Sequence, residues 1–516
     1  MSKTSQDPHN ALSDQIEPAA SRSEGEVIDT EVKTSDAVFG NITDQGPNYR
    51  NVGWLGTAAL MMKTQIGLGV LSIPSVFDTV GLIPGVILLL VIGTVTTWSA
   101  YMIGVFKLRH RQVYGIDDAG SLIFGRIGRE VFGVAFTLRK YRLTTMTQGG
   151  VSFADQSCPS VLTFAAAAAL IGISVALNAL STHGACTAVF VAVAAVFGFT
   201  FASIQTLGKI SALAWIGVTS IVVAGEFNSP LDTAHFRPCS KLLNHAVFTV
   251  TIAVGVQGKP ATASQDFEGP WRSNYELFKN PSFSGALGAI TTLIFAYAGT
   301  PTFFSIASEM RDPKHYAKAL MVCQSAITLA YIVVGVVVYY FCGSYVASPA
   351  LGSAGPLIKK VAYGIALPGL LVTDLLLIHL AAKSIFVRVL RNSKHLASNT
   401  PKHWAVWLGS TFAITVVGYV IASAIPIFGQ LIALIGALLG PILCFHPPGF
   451  MWIYDNWKRS DGRKPLRWYS GAASSVFVVA TGTFLMIAGT YSAIYTIVNT
   501  PGSSQVWSCA DNSNST

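Results

Sequence analysis

Charge is what this chain has least of. Only 11% of its 516 residues are Asp, Glu, Lys or Arg, whereas 51% are hydrophobic. Soluble globular chains carry about a quarter charged residues, so a soluble domain is excluded. Acidic residues are scarcer than basic ones, 25 against 34, for a net charge of +9. The excess lies in a few loops between apolar segments, with no basic face or interleaved aromatics, which excludes a nucleic-acid partner. Cysteine is sparse as well: 7 residues at scattered spacings form no metal motif. Cys342 and Cys509 are both expected on the outer side, which leaves a disulfide between them open. No span face gathers paired carboxylates, a His-x-x-x-Asp pattern or a Ser/His constellation, which argues against an enzyme. With no nucleotide-binding site and no cofactor expected, any transport draws on an ion gradient. Residues 1–50 are polar and lack an apolar core, so they read as a disordered cytosolic tail and not a signal peptide.

Long apolar runs are abundant. Spans are expected at Trp54–Val80, Leu82–Phe106, from near Glu130 to Leu180 with an interruption, Cys186–Ile204, from Lys209, Gly285–Met310, Ala319–Phe341, Val361–Val387, Trp404–Ala424, Ile427–Tyr454 and Tyr469–Val498. Residues 51–498 therefore form an all-α integral membrane domain of about eleven helices, followed by a short extracellular tail, 499–516. The loops after spans two, six, eight and ten hold most of the Lys and Arg, which places them and the N-terminus in the cytosol. Asn514-Ser-Thr is then a glycosylation sequon on the outer tail.

Two spans contain breaks at similar depth. The first reads Lys63-Thr-Gln-Ile-Gly67-Leu-Gly69-Val-Leu-Ser-Ile-Pro74 and the sixth Phe295-Ala-Tyr-Ala-Gly299-Thr-Pro-Thr-Phe-Phe304. Glycine and proline loosen a helix, and lipid tolerates loosened backbone only where protein or a cavity satisfies it. Interrupted helices in corresponding positions of two halves point to an inverted-repeat transporter and its site. The half-helix starting after Gly67 offers the amides of Gly67, Leu68, Gly69 and Val70 to a carboxylate. Carbonyls of Tyr297, Ala298, Gly299 and Thr300, and those before Gly67, can accept from an ammonium, and Phe303 with Phe295, Tyr297 and Phe304 can line a side-chain pocket. Lys63, one turn before Gly67, Glu309 at the inner end of span six, and Asp374 in span eight are the ion-coupling candidates; Lys63 alternatively snorkels to the cytosolic interface. Glu309 alternatively pairs with Arg311. Asp374 and His379 are not one turn apart, which argues against a direct relay. Lys383 and Lys209 sit near span ends and are expected to snorkel.

Two stretches interrupt good spans. Residues 139–165 and 225–246 put polar sequence at mid-membrane, in conflict with both neighbours. Arg139-Lys-Tyr is encodable as CGT-AAG-TAC, containing GTAAGT, and Gly225-Glu-Phe as GGT-GAG-TTC, containing GTGAGT. Both are intron donor sequences, and Phe164-Ala165 and His245-Ala246 permit acceptors ending in CAG. They read as retained introns; the alternative is genuine loops with two further spans.

The segments Lys63–Pro74, Asn178-Ala-Leu-Ser-Thr-His-Gly184 and Phe295–Pro313 resemble fungal neutral amino acid permeases of the amino acid/auxin permease family, within the amino acid–polyamine–organocation superfamily. The likeness runs from about Gly53 to Val498, without the two inserts. It implies a five-plus-five inverted-repeat fold with broken helices 1 and 6, and proton- or sodium-coupled amino acid uptake. Sodium-coupled relatives resemble the first break but bind a cation there. A Lys63 ammonium in that place favours protons. The leading expectation is a proton symporter importing neutral, aromatic or branched aliphatic amino acids at the plasma membrane. The alternatives are a vacuolar exporter of the same fold or a non-transporting amino acid sensor. Genomic DNA is expected to show donor and acceptor bases flanking 139–165 and 225–246, with mature transcripts that omit both; their absence at those codons removes the intron reading.

Overall fold

A computed structural model describes residues 34–36, 40–42, 50–136, 140–147, 150–157, 161–204, 213–215, 260, 263, 271–353, 356–390, 393, 395–396, 398–425, 428–457, 465–499, 507 and 509–513. Span one is two helices, α1 (Trp54–Gln65) and α2 (Leu68–Val80), bent by 48°. Span two is α3 (Leu82–Arg109). An amphipathic helix, α4 (Ile116–Phe136), follows, kinked where Gly125 takes a positive φ of 64°. Span three is α5 (Val161–Ser181) and span four the shorter α6 (Thr187–Ala202). Span six comprises α7 (Phe283–Ala296), a 3-10 turn at Thr300–Thr302 and α8 (Phe303–Ser308). Then come α9 (Tyr316–Cys342), α10 (Pro356–Leu390) and α11 (Pro401–Ala424) as spans seven to nine. Span ten is α12 (Phe428–Cys444) with α13 (His446–Trp457), and span eleven α14 (Leu466–Asn499). Ten of the eleven expected spans are thus present among the described residues; the fifth is described only at 213–215, and the 225–246 stretch lies outside them.

The 139–165 stretch contains an antiparallel hairpin, β1 (Lys140–Thr147) and β2 (Gly150–Ser157), which separates α4 from α5. Span three accordingly starts at α5 and not near Glu130: Glu130 belongs to α4, ahead of the hairpin. A second, three-residue hairpin pairs Thr34–Asp36 with Gly40–Ile42 in the N-terminal tail.

The helices sort by enclosure. Nearly nine-tenths of the α5 span is buried, whereas only 22% of α14 is. Alanines explain the first: Ala166–Ala169 are fully buried, and their small side chains let α10 pack closely. On α14, Val476, Phe477, Phe484 and Ile487 face outward, as an apolar helix does when lipid is its solvent. Serine and threonine inside the spans satisfy themselves on carbonyls one turn back, as Thr96 does on Ile92 (2.8 Å) and Thr415 on Thr411 (2.9 Å). Two helix starts carry a side-chain cap: Ser282 accepts from Gly285 and Thr400 from His403, with Pro401 at the first helical position.

At one face of the helix array, Cys509 is disulfide-bonded to Cys186, while Cys342 is buried and free. The open Cys342–Cys509 pairing is therefore corrected. Cys342 ends α9 facing the core, whereas Cys186 caps α6 beside the C-terminal segment. Around the disulfide, Thr187 donates to the Ala510 carbonyl (2.7 Å), Asn178 to Asn512 (2.8 Å), Asn512 to Ser174 (3.0 Å), and Lys359 to the Ser513 carbonyl. The Trp507 amide donates to the Ser423 carbonyl (3.1 Å). All these partners lie on spans three, four, eight and nine, so the segment straps one four-helix layer together. The Asn178–Gly184 motif works as its anchor: Asn178 also binds His183 (3.0 Å), and Thr182 and His183 both take positive φ. On the same face, Lys279 hydrogen-bonds Asp78 at the end of α2 (2.7 Å). Burial pulls that ammonium's pKa down, but Asp78 outweighs it and leaves the pKa above its usual value.

At the opposite face, Lys383 of α10 forms a buried ion pair with Glu309, just past α8. This corrects two expectations: Glu309 pairs with Lys383 and not Arg311, and Lys383, 1% exposed, does not snorkel. The Val52 amide donates to the Glu309 carbonyl (3.2 Å) and the Arg311 amide to that of Val52 (2.9 Å), stitching the entry to span one against the end of span six.

Cys509→Ser is expected to destabilise the intact protein by about 2–4 kcal/mol. Cys186→Ser should match it, the double variant should add nothing, and Cys342→Ser should leave the disulfide unchanged; thermal denaturation with thiol labelling reads all four.

Candidate substrate and ion site between the broken helices

The two breaks meet. A carbon added at Gly69 would lie 2.7 Å from the Ala296 Cα, so α2 and α7 cross at backbone distance. One added at Gly299 would lie 2.5 Å from the Thr64 hydroxyl. Gly69 is therefore required by the crossing itself, beyond any room it leaves for a solute. Gly67 faces Thr373 of α10, whose hydroxyl would lie 2.8 Å from such a carbon.

Breaking a helix strands carbonyls at one end and amides at the other. The carbonyls are taken by the chain's own donors. Lys63, fully buried, donates from Nζ to the Ile66 carbonyl at 3.2 Å. The Tyr331 hydroxyl of α9 lies 2.9 Å from the Gln65 carbonyl and 2.8 Å from that of Ala296, sharing its proton between the ends of α1 and α7. In span six, Thr302 donates to the Gly299 carbonyl (2.7 Å) and Thr300 to that of Tyr297 (3.4 Å). The amide end is different: α2 begins after Gly67 with no side-chain cap. Its first N–H groups form an uncapped positive dipole end.

Between the breaks lies a cavity of about 40 Å³. Gly67, Gly69, Ala298 and Gly299 line it, joined by Thr64, Gln65, Phe295, Pro301 and Thr302. Its far walls are Leu162 and Ala165 of α5, Thr373 and Leu377 of α10, and Ile435, Leu439, Gly440, Leu443 and Cys444 of α12. Ligand pockets run to about 300–1,000 Å³, so this cavity is far smaller. An amino acid enters only if the walls part.

Gln65 is 3% exposed, and neither atom of its carboxamide has a partner. One end can donate to a carboxylate and the other accept from an ammonium. Its position two residues before Gly67 was the available sequence signal. Tyr331 and Thr373, which also shape the site, sit inside apolar runs without one.

Other expected residues lie elsewhere. Val70 and Phe303 are buried in the core away from the cavity. The Thr300 hydroxyl turns back to its own break. Tyr297 points the other way, its hydroxyl 3.0 Å from Thr328 of α9 and its ring 5.2 Å from that of Tyr331. Leu68 contributes the first helical residue of α2. Asp374 is fully buried with no partner on either oxygen. Its carboxylate rests against Gly198 of α6 and does not line the cavity. His379 lies 3.3 Å from the Ala202 carbonyl. Neither Asp374 oxygen has a hydrogen-bond partner, so no direct bond joins it to His379.

Residues 50–495 match the family described as transmembrane amino acid transporter protein. The chain belongs to that family. A transmembrane transporter of Gibberella moniliformis is 31% identical over 94% of this chain and 93% of its own length. An N amino acid transport system protein of Neurospora crassa is 29% identical, covering 89% of each. Among solved structures, MhsT in complex with L-phenylalanine aligns over 85% of this chain and 98% of its own, with 12% identity and a TM-score of 0.47.

Tyr331→Phe leaves two buried carbonyls without a donor and is expected to cost about 1–3 kcal/mol. Thermal unfolding should show the loss, and uptake by the same variant should fall several-fold. Unchanged values in both would remove Tyr331 from the site.

Proposed function

We propose that the chain imports neutral amino acids, aromatic or branched aliphatic, by proton symport with alternating access. The observation that carries this reading is the division of labour at the breaks. The amide end of α2 is uncapped, while Lys63 and Tyr331 already serve the freed carbonyls. The substrate carboxylate binds the amides of Gly67–Val70, with Gln65 and the Thr64 and Thr373 hydroxyls completing recognition of the zwitterion. Leu162, Leu377, Ile435, Leu439 and Leu443 offer an aliphatic wall, which rejects charged side chains.

A resident sodium ion needs a cage of oxygens, and here the carbonyls that would build it are engaged. That favours the proton. Asp374 is its carrier: an enclosed carboxyl without any donor, packed between α10 and α6, is the group whose charge is costliest to hold without a proton. Lys383–Glu309 is the latch that closes the inner side and opens as substrate leaves. The Cys186–Cys509 disulfide supports an extracytosolic C-terminal face, and so a cytosolic N-terminus, because disulfides persist in oxidising compartments. The plasma membrane is the proposed residence.

Uptake of radiolabelled leucine and phenylalanine in permease-deficient cells tests this, for the full chain and for one lacking 139–165 and 225–246. Acid outside should stimulate uptake, and a protonophore should cut it at least about tenfold. Asp374→Asn should lose the pH dependence. Sodium-dependent uptake that ignores the protonophore overturns proton coupling. No uptake with both forms at the cell surface moves the reading to a vacuolar exporter or a sensor.

A further inference from the structure

Away from the cavity, α3 and α9 part to leave a groove of about 630 Å³ that opens toward lipid. Leu90, Leu329 and Ile332 line one end, and Trp98, Tyr101 and Met321 the other. Among the described residues that line it, none is charged. Gln324 lies on this wall near the second end, 3% exposed, and neither its amide nitrogen nor its oxygen has a partner. A bare carboxamide is costly, and inside a bilayer there is no water to relieve it.

We propose that this groove binds a sterol-class lipid, a rigid apolar body whose sole polar group is a hydroxyl paired with Gln324. Three features select that chemistry. A carboxamide donates and accepts, and a hydroxyl does both in return. The uncharged lining offers a phosphate head no partner, which disfavours a phospholipid as the specific occupant. From Leu90 to Tyr101 the helix rises about 17 Å, so the groove is long, with its polar group toward the Trp98–Tyr101 end.

The floor of the groove leads to the functional centre. Thr328 lines it and hydrogen-bonds Tyr297, the first residue of the break in span six. Gly93, also in the lining, leaves room for that tyrosine: a carbon added there would lie 2.9 Å from its hydroxyl. A bound sterol therefore steadies the break from behind. The proposal concerns binding and is independent of which amino acid or ion is transported.

The test is equilibrium binding of tritiated cholesterol to the full-length protein in phosphatidylcholine vesicles, alongside thermal unfolding to establish that each variant is folded. Saturable binding near one sterol per chain is expected, with a rise in unfolding temperature. Gln324→Leu should weaken binding about tenfold, the loss of one hydrogen bond. Thr94→Trp, which fills the groove without touching the carboxamide, should abolish it. Cholesteryl acetate, its hydroxyl masked, should bind the native chain no better than cholesterol binds Gln324→Leu. Unsaturable partition, equal binding of the acetate, or full binding by folded Thr94→Trp would each overturn the proposal.

Discussion

Everything in this molecule answers to one constraint: backbone polar groups freed inside a bilayer must find partners without water. Two helices are broken where they cross, and each break releases carbonyls and amides at the least forgiving depth. The carbonyls are met from within, by an ammonium at Ile66 and by one tyrosine hydroxyl shared between Gln65 and Ala296. The amides opening α2 have no such cap. An unmet requirement of this kind is one that a carboxylate can satisfy.

The breaks were legible in the sequence because their cause is local. Gly67-x-Gly69 and Gly299-Thr-Pro301 disrupt helix wherever they occur, and nine of the eleven span positions follow closely from apolar run length alone. Span three was misjudged because the α4 helix precedes the hairpin and merges with the span only by composition. What stayed hidden depends on partners brought from afar. Tyr331 sits in an apolar run with no signature, and only the fold carries its hydroxyl to two carbonyls from other spans. Glu309 was matched with Arg311, its neighbour in sequence, whereas the buried partner is Lys383, one span-pair away. Cysteine pairing shows the same limit: both candidate thiols were assigned a side, but the orientation of Cys342 at the end of α9 is a tertiary property.

The two faces are tied in different ways. At one, a disulfide and a set of hydrogen bonds hold spans three, four, eight and nine to a common strap. At the other, an ion pair and a short backbone bridge join span eight, span six and the entry to span one. The first set binds helices of one layer to each other and can persist through a conformational cycle. The second joins that layer to the broken helices, so it must be released whenever the two move apart. The covalent bond lies within the layer and the ion pair across it.

The disulfide also sets an order of events in biosynthesis. Cys186 and Cys509 are separated by 323 residues, and spans four to eleven lie between them in the chain. Cys186 therefore reaches its side of the membrane long before its partner exists and waits there as a free thiol. A ribosome that stops short of residue 509 leaves that thiol permanently unpaired, next to an Asn178 motif with nothing to hold. An unfinished chain is then chemically distinguishable from a finished one at a surface that quality-control enzymes can reach, even when every span made so far has inserted correctly.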